Sequence, residues 1–249
     1  PQIQPAHVPV LRTYSVTSLG DFVRCPRRYY FSNVAGIPER LFYKNDGGSP
    51  RLSAMERGTI VHELIEKIHK YKINEKEPKK ILATLGFSMG LEDVNIIEKC
   101  LQNYMESDLH NFAGELLSEI PFTYRINDWR ILTGKVDHLV IEDNGAVIVD
   151  FKTNIKIHPD LLKIYRLQVL AYALGISEIY DVEPKRAIIA SLFEGKFIQV
   201  DTSTSVLLEC KEQILSIINS IESGAFQEKA PEQVTCDFCV YKNILCKLL

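Results

Sequence analysis

Residues 134–153, GKVDHLVIEDNGAVIVDFKT, constrain the fold more than any other stretch of the chain. Two runs of Val, Ile, Leu and Phe flank Asp143-Asn144-Gly145. Asn-Gly between apolar runs is the strongest short-range signal for a β-hairpin with a two-residue type I′ turn. With Asn144 and Gly145 as the loop, Asp143 pairs with Ala146 and Asp137 lies opposite Lys152. A loop at Asp143-Asn144 keeps this parity, whereas a three-residue loop breaks it. Faces alternate with period two, so Asp150 and Lys152 share a face. Asp137 joins them, diagonal to Asp150 at about 7–8 Å. That face also carries Leu139, Ile141 and Ile148, while Val136, Val140, Val147, Val149 and Phe151 fill the other. Strands apolar on both faces are expected inside a sheet.

Carboxylates in such strands are costly unless paired, protonated or bound to a cation. The hairpin alone leaves two readings open. One is a structural Asp–Lys salt bridge at a sheet end. The other is a divalent-metal site, with Asp137 and Asp150 as hard oxygen ligands and Lys152 beside the reacting water.

Composition sets outer limits. The chain has 249 residues, 46% hydrophobic and 24% charged, which suits one large soluble domain or a core with an appendage. No apolar run approaches the ~20 residues of a membrane span and no signal-peptide pattern opens the chain, so a cytoplasmic protein without a membrane partner is expected. The net charge of −3 gives no global basic field for nucleic acid. An acidic metal site contributes to that balance, so the charge is a weak argument against such a partner. The first residue is Pro rather than Met, which points to a piece of a longer protein or a processed chain.

An extended or disordered lead over residues 1–13 precedes a short helix around 18–33, with Ser15 or Thr17 as its cap. Residues 44–51 are loop chemistry. Residues 57–72 read as an amphipathic helix with Ile60, Leu64, Ile65 and Ile68 on one stripe. Helical stretches near 77–86 and 91–118 follow. Period two takes over at 119–126, 130–142 and 145–152. Then come a helix at 160–175, a hairpin at 186–200 turning at Glu194-Gly195, a helix at 203–222 and a cysteine-rich tail. This order predicts an α/β sheet core with a helical subdomain inserted before it.

Other residues can converge on the hairpin. His62 lies near the start of the helix at 57–72, where a lone histidine is ordinarily a surface or capping residue. Glu119 opens the first strand, where a solvated edge carboxylate is the default. Gln168 and Tyr172 stand at i and i+4 and share a helical face. Tyr172 also suits a core position.

In order along the chain, Gly58-Thr59-Ile60-Val61-His62, Glu119, Gly134-Lys135-Val136-Asp137, Asp150-Phe151-Lys152-Thr153 and Gln168-Val169-Leu170-Ala171-Tyr172 resemble the RecB-type family of the PD-(D/E)xK nuclease superfamily. Val136 stands where the superfamily's name has Pro. The resemblance runs over nearly the whole chain. It implies a restriction-endonuclease-like mixed central β-sheet flanked by helices. One nuclease domain would then cover 1–249: an N-terminal helical part at 14–118, a catalytic sheet core at 119–202, and a C-terminal helix with Cys-rich tail at 203–249. It further implies that His62, Asp137, Asp150 and the Phe151 carbonyl ligate Mg²⁺ or Mn²⁺. Lys152 would orient or deprotonate the attacking water, Gln168 and Tyr172 would position the substrate strand or the lysine, and Glu119 would support the site. A phosphodiester is anionic, so in-line attack on it calls for a metal that neutralises developing charge and acidifies its bound water.

Of six cysteines, Cys100 and Cys210 sit in helical patterns and read as plain thiols. Cys236, Cys239 and Cys246 cluster in the tail, and Cys25 is the candidate fourth ligand. Zinc and a [4Fe–4S] cluster are both chemically open. The one-plus-three arrangement resembles the iron–sulfur staple of some RecB-type nucleases. It implies a [4Fe–4S] cluster that clamps the N-terminal helix to the C-terminal tail. Arg24, Arg27, Arg28, Lys163 and Arg166 are candidate phosphate contacts, against the alternative of solvated, salt-bridged faces. Tyr29, Tyr30 and Phe31 read as core aromatics rather than base-stacking platforms.

The leading expectation is a metal-dependent DNA nuclease acting exonucleolytically on single-stranded ends. The resemblance and the missing Met imply work in double-strand-break repair, joined to a UvrD-like helicase domain or subunit; the chain carries no Walker motif, so any ATP dependence would reside elsewhere. The alternatives are a stand-alone nuclease, like a CRISPR-associated member of the family that the sequence resembles, and a catalytically silent nuclease fold that binds DNA.

Overall fold

The computed structural model describes residues 11–42, 52–73, 77–84, 89–112, 114–143, 145–227, 236, 239–242 and 244–246. Residues 1–10 of the lead, the loop at 44–51 and Asn144 of the turn lie outside the described residues.

The lead ends in structure rather than disorder: β1 (Arg12–Ser15) pairs in parallel with Arg130–Thr133. Of the two candidate caps, Ser15 starts α1 (Val16–Arg24), accepting the Ser18 N–H at 3.0 Å. The single helix expected around 18–33 is interrupted at Cys25, which is extended (φ −167°, ψ 111°). Pro26 disfavours the helical conformation of the residue before it, and it opens the short α2 (Pro26–Tyr29).

Next comes α3 (Ala54–Lys70), begun by a capping box between Ser53 and Glu56. Its start is three residues earlier than the apolar periodicity suggests, so His62 sits mid-helix instead of near the N-terminus. Then follow α4 (Pro78–Thr84) and α5 (Leu91–Met105). The helix expected to reach residue 118 stops at Met105. Glu115–Ser118 instead opens β2 (Glu115–Asn127), with Leu116 and Leu117 packing on opposite sides of the sheet. The remaining elements are β3 (Arg130–Glu142), β4 (Gly145–Lys152), α6 (Pro159–Tyr180), β5 (Pro184–Ser191), β6 (Lys196–Val200) and α7 (Thr204–Glu222).

Among the described residues these strands form one mixed six-stranded sheet. β3 pairs antiparallel with β2 and β4 and parallel with β1; β5 runs parallel to β4 and antiparallel to β6. On one face Leu139, Ile148 and Ile189 share a core with α1, α6 and α7. On the other, Val140, Val147, Val149 and Phe151 share one with α3, α4 and α5. The helices expected as an inserted subdomain thus pack directly onto the sheet. No helix among the described residues is long and apolar enough to cross a membrane.

Two details of the hairpin differ from the sequence-based expectation. Glu142 pairs with Gly145 and His138 with Val149, which leaves Asp143 and Asn144 between the paired positions. Carried one step on, this register sets Asp137 against Asp150 rather than Lys152. The cause is Gly145, a strand residue at φ +136° that is crowded against the Glu183 carbonyl, where a Cβ would collide. The second difference is the face of Val136, which packs with Leu139 rather than with Val140. β2 changes face at the same level, between Leu117 and Phe122, and Glu119 there adopts φ +54°. A left-handed residue in a strand resets the alternation, as a bulge does.

Candidate active site

The face change at Glu119 brings three donors together. His62 Nδ1 from α3 lies 3.2 Å from Asp137 Oδ1 and 3.6 Å from Glu119 Oε1. One ligand atom from each of the three lies within 4.8 Å of the others, an arrangement able to hold a metal ion. Lys135 forms an ion pair with the other Glu119 oxygen, and the Phe151 N–H donates to Asp137 Oδ2 at 2.6 Å. Burial works against charge on His62, yet Asp137 and Glu119 outweigh it and hold the imidazole at about 10, well above its usual 6.5. Burial likewise opposes ionisation of Asp137, and His62, Lys152 and the Phe151 N–H reverse that, lowering its pKa.

Asp150 is the second acid. It is nearly fully buried, and Lys152 Nζ lies 2.7 Å from its Oδ2 without a well-directed hydrogen bond to that oxygen. Burial, reinforced by Asp137 and opposed by Lys152, pushes Asp150 up to about 6. Burial disfavours charge on Lys152, but Asp150 and Asp137 overcome it and keep the lysine protonated. Lys152 Nζ also donates to Gln168 Oε1 at 3.0 Å, and Gln168 Nε2 donates to the Tyr172 hydroxyl at 2.7 Å. Tyr165 places its ring 4.4 Å from the ammonium, with its hydroxyl donating to Asn154. Tyr165, Gln168 and Tyr172 recur at helical spacing on one side of α6. Tyr172 reaches β3 because Gly134 has no Cβ to collide with the rings of Phe122 and Tyr172. One imidazole nitrogen, several carboxylate oxygens and an unsatisfied buried acid form a hard donor set suited to Mg²⁺ or Mn²⁺.

A family model described as the PD-(D/E)XK nuclease superfamily matches residues 13–247. The chain belongs to that superfamily. Its mixed sheet flanked by helices is the restriction-endonuclease-like fold. A Natranaerobius thermophilus protein, one subunit of an ATP-dependent helicase/nuclease, is 22% identical over 160 residues, 60% of this chain and 12% of that protein's length. The chain therefore matches a small part of that relative. The solved structure of SSO0001 superposes over 96% of this chain and 88% of that one, at 16% identity and a TM-score of 0.45.

The fold brings together His62, Glu119, Asp137, Asp150, Phe151, Lys152, Gln168 and Tyr172 of the residues read from the sequence, with Glu119 closer to His62 and Asp137 than a supporting role requires. Sequence reasoning missed Lys135 and Tyr165. Tyr165 carried a signal, since it precedes Gln168 by three residues and Tyr172 by seven.

The basic residues divide. Arg27 is buried, donating to the Gln227 carbonyl at 2.7 Å and the Cys246 carbonyl at 3.3 Å. Arg28 is held by Asp21 at 2.6 Å and Glu39 at 2.5 Å. The Arg27 Nη groups and the Arg28 guanidinium are engaged inside the protein, which favours the salt-bridged alternative over phosphate contacts there. Lys163 pairs with Asp160 and lines, with Arg166, the groove between α6 and α7. That stripe faces away from Gln168 and Tyr172, so neither residue borders the acids. Arg24 differs in its neighbourhood: its charge acts on the Tyr165 hydroxyl, while its buried Nε, like that of Arg27, has no hydrogen-bond partner among the described residues. Tyr29, Tyr30 and Phe226 pack as an aromatic cluster, and Phe31 lies against Tyr241, in keeping with core roles.

Cys25 caps α2, its sulfur accepting the Arg28 N–H at 3.4 Å. Arg27 donates to Cys246 Sγ at 3.7 Å. The Cys239 thiol is raised, first by burial and further by Cys25 and Cys246. Cys100 and Cys210 are buried elsewhere, both pushed to about 12 by burial, as plain core thiols.

Proposed function

We propose that this chain is a divalent-metal-dependent deoxyribonuclease, cutting DNA from single-stranded ends as the nuclease part of a helicase–nuclease that processes double-strand breaks. The carrying observation is Lys152, bound to both Asp150 and Gln168 beside the His62–Glu119–Asp137 group. The helicase association is supported by the helicase/nuclease component that the chain resembles. Mg²⁺ or Mn²⁺ would be held by His62, Asp137, Asp150 and the Phe151 carbonyl, with Glu119 joining from β2. A bound ion supplies charge neutralisation at the phosphate and a more acidic water. The chain's own residues do the rest. Lys152, fixed by Asp150 and Gln168, orients the attacking water. Tyr172 holds Gln168, and the Phe151 N–H keeps Asp137 turned into the site. Arg24, whose charge reaches the Tyr165 hydroxyl, is the arginine left to meet a phosphate of the substrate strand.

End-labelled linear and circular single-stranded DNA with Mn²⁺ or Mg²⁺ tests this reading. Lys152→Ala should cut at least about a hundredfold more slowly than wild type, and the circular substrate should survive. A folded wild type that binds DNA without cutting it would replace this reading with the silent binding module. Cleavage of circles would sink the requirement for ends.

Cys25, Cys236, Cys239 and Cys246 would hold a [4Fe–4S] cluster, which would tie the α1–α2 region to the C-terminal tail. Support comes from the soft donor set, the burial of Cys25 and the Arg27 guanidinium beside Cys246. Anaerobically purified protein should contain iron and acid-labile sulfide. Cys239→Ser should lose both and about 2 kcal/mol or more of stability, as expected when a tightly bound group is lost. Zinc in place of iron, or a metal-free wild type as stable as the variant, would overturn the assignment.

A further inference from the structure

Behind the acids, on the α3–α5 side of the sheet, a chain of hydrogen bonds leads away from Asp137 and returns to the helix that carries His62. His138 Nδ1 lies 2.9 Å from the Asp137 carbonyl oxygen. A carbonyl only accepts, so Nδ1 carries the hydrogen and Nε2 is left as an acceptor. Tyr104 from α5 fills that role, its hydroxyl 3.0 Å from His138 Nε2. The tyrosine oxygen in turn accepts from His69 Nε2, a short contact made from α3. With Nδ1 donating to the Asp137 carbonyl and the Ser118 hydroxyl, 3.2 Å from the same nitrogen, as a second acceptor, the three groups form a one-way chain from His69 to the Asp137 backbone. The rings of His138 and Tyr104, together with that of His62, also enclose Phe151, whose N–H binds Asp137: its centroid lies 4.8 Å from His138, 5.5 Å from Tyr104 and 5.8 Å from His62.

His62 and His69 are seven residues apart on one helix, so they share a face and are separated along the axis by about 10 Å. The first grips the Asp137 carboxylate; the second grips the Asp137 carbonyl through Tyr104 and His138. Helix α3 is thus tied to one residue of β3 at two points. The first tie acts near the middle of the helix and the second near its C-terminal end, adding to the apolar packing of Val61, Leu64, Ile65 and Ile68 on the sheet.

We infer that the His69–Tyr104–His138 chain is a positioning device that holds His62 over Asp137 and thereby sets the affinity of the site for a divalent cation. This rests on the metal reading above. His69, Tyr104 and His138 touch no substrate; they act through His62, Asp137 and Phe151. Partners of this kind behind metal ligands typically change metal affinity by about 10–100-fold when removed.

The test is calorimetric titration of the metal-free protein with Mn²⁺ alone, without DNA. Tyr104→Phe keeps the ring and removes the hydroxyl, and should weaken Mn²⁺ binding about tenfold or more. His69→Gln retains an N–H donor toward Tyr104 and should bind Mn²⁺ within about twofold of wild type, whereas His69→Leu should weaken it as Tyr104→Phe does. The His69 pair keeps the question decidable if Tyr104→Phe does not fold. Equal Mn²⁺ affinity in His69→Leu and His69→Gln, even with a loss of melting temperature in the former, would make the chain a plain core network and overturn the inference. A folded wild type that binds no Mn²⁺ overturns the metal reading itself, and this inference with it.

Discussion

Replacing Asp150 with asparagine is expected to slow metal-dependent cleavage about a thousandfold or more while raising the melting temperature of the metal-free protein. The two effects have one cause. Asp150 is buried beside Asp137, and with burial as the larger influence its carboxyl is pushed from 3.8 to about 6, despite Lys152. A raised carboxyl pKa means that the folded state prefers the protonated acid. Ionised Asp150 therefore costs stability, and the cost grows as pH rises from about 4 to 6 and persists above. Two units correspond to roughly 3 kcal/mol. Asparagine removes that cost but leaves Lys152 one partner short, retaining Gln168 and the Tyr165 ring. A net gain of about 1–2 kcal/mol remains, or roughly 3–6 °C for a chain of this size. Thermal melts in chelator, set beside cleavage assays in Mn²⁺, check both halves. A variant that melts well below wild type would show that the Asp150–Lys152 pair is kept for the fold, because breaking a buried pair strands the remaining charge.

The parts of the site that could be read from the sequence are those governed by local periodicity. Period two is independent of register within a parity class, so placing Asp137, Asp150 and Lys152 together survives the one-position shift of the turn. The shift itself was hidden. It arises because Gly145 is crowded by Glu183 on the approach to β5, a contact across nearly forty positions of chain. The change of face at Glu119 was hidden for a different reason: glutamate carries no sequence signal for a left-handed backbone. That one residue nevertheless explains how an acid on β2 comes to share His62 with Asp137.

The errors among basic residues have two origins. Arg27 and Arg28 looked available because their partners Gln227, Cys246 and Glu39 come from other segments, two of them about two hundred residues away. No local pattern announces such partners. Lys163 and Arg166 carried a readable warning, since they fall on the opposite side of α6 from Gln168 and Tyr172 at 3.6 residues per turn. The buried chain behind Asp137 was beyond reach. His69, Tyr104 and His138 each look like an ordinary polar residue in an apolar pattern, and only the packing of α3 and α5 on the sheet aligns them.

The same chain makes acid a selective stress on the metal-free protein. His69 is lowered from 6.5 to about 4, by burial first and then by His138 and His110. The groups that face it, Tyr104, His110 and His138, include no carboxylate to hold a proton in place. A histidine with a lowered folded pKa contributes stability that is present above its unfolded value and lost as pH falls from about 6.5 toward 4. Between about pH 7.5 and 4.5 this amounts to a loss of about 2 kcal/mol through His69 alone, after allowing for its partial exposure. Asp150 pulls the other way, since its raised pKa favours the acid form, so the total slope does not isolate either group. The comparison that does is urea unfolding of wild type against His69→Gln at both pH values. Asp150 is common to the two proteins and cancels, and glutamine does not titrate. The variant should lose about 2 kcal/mol less than wild type on acidification, while keeping the hydrogen bond to Tyr104. Equal losses would mean that His69 takes up its proton without breaking the chain. The ring would then have room to turn outward, and the second tie between α3 and Asp137 would be looser than its hydrogen bonds imply.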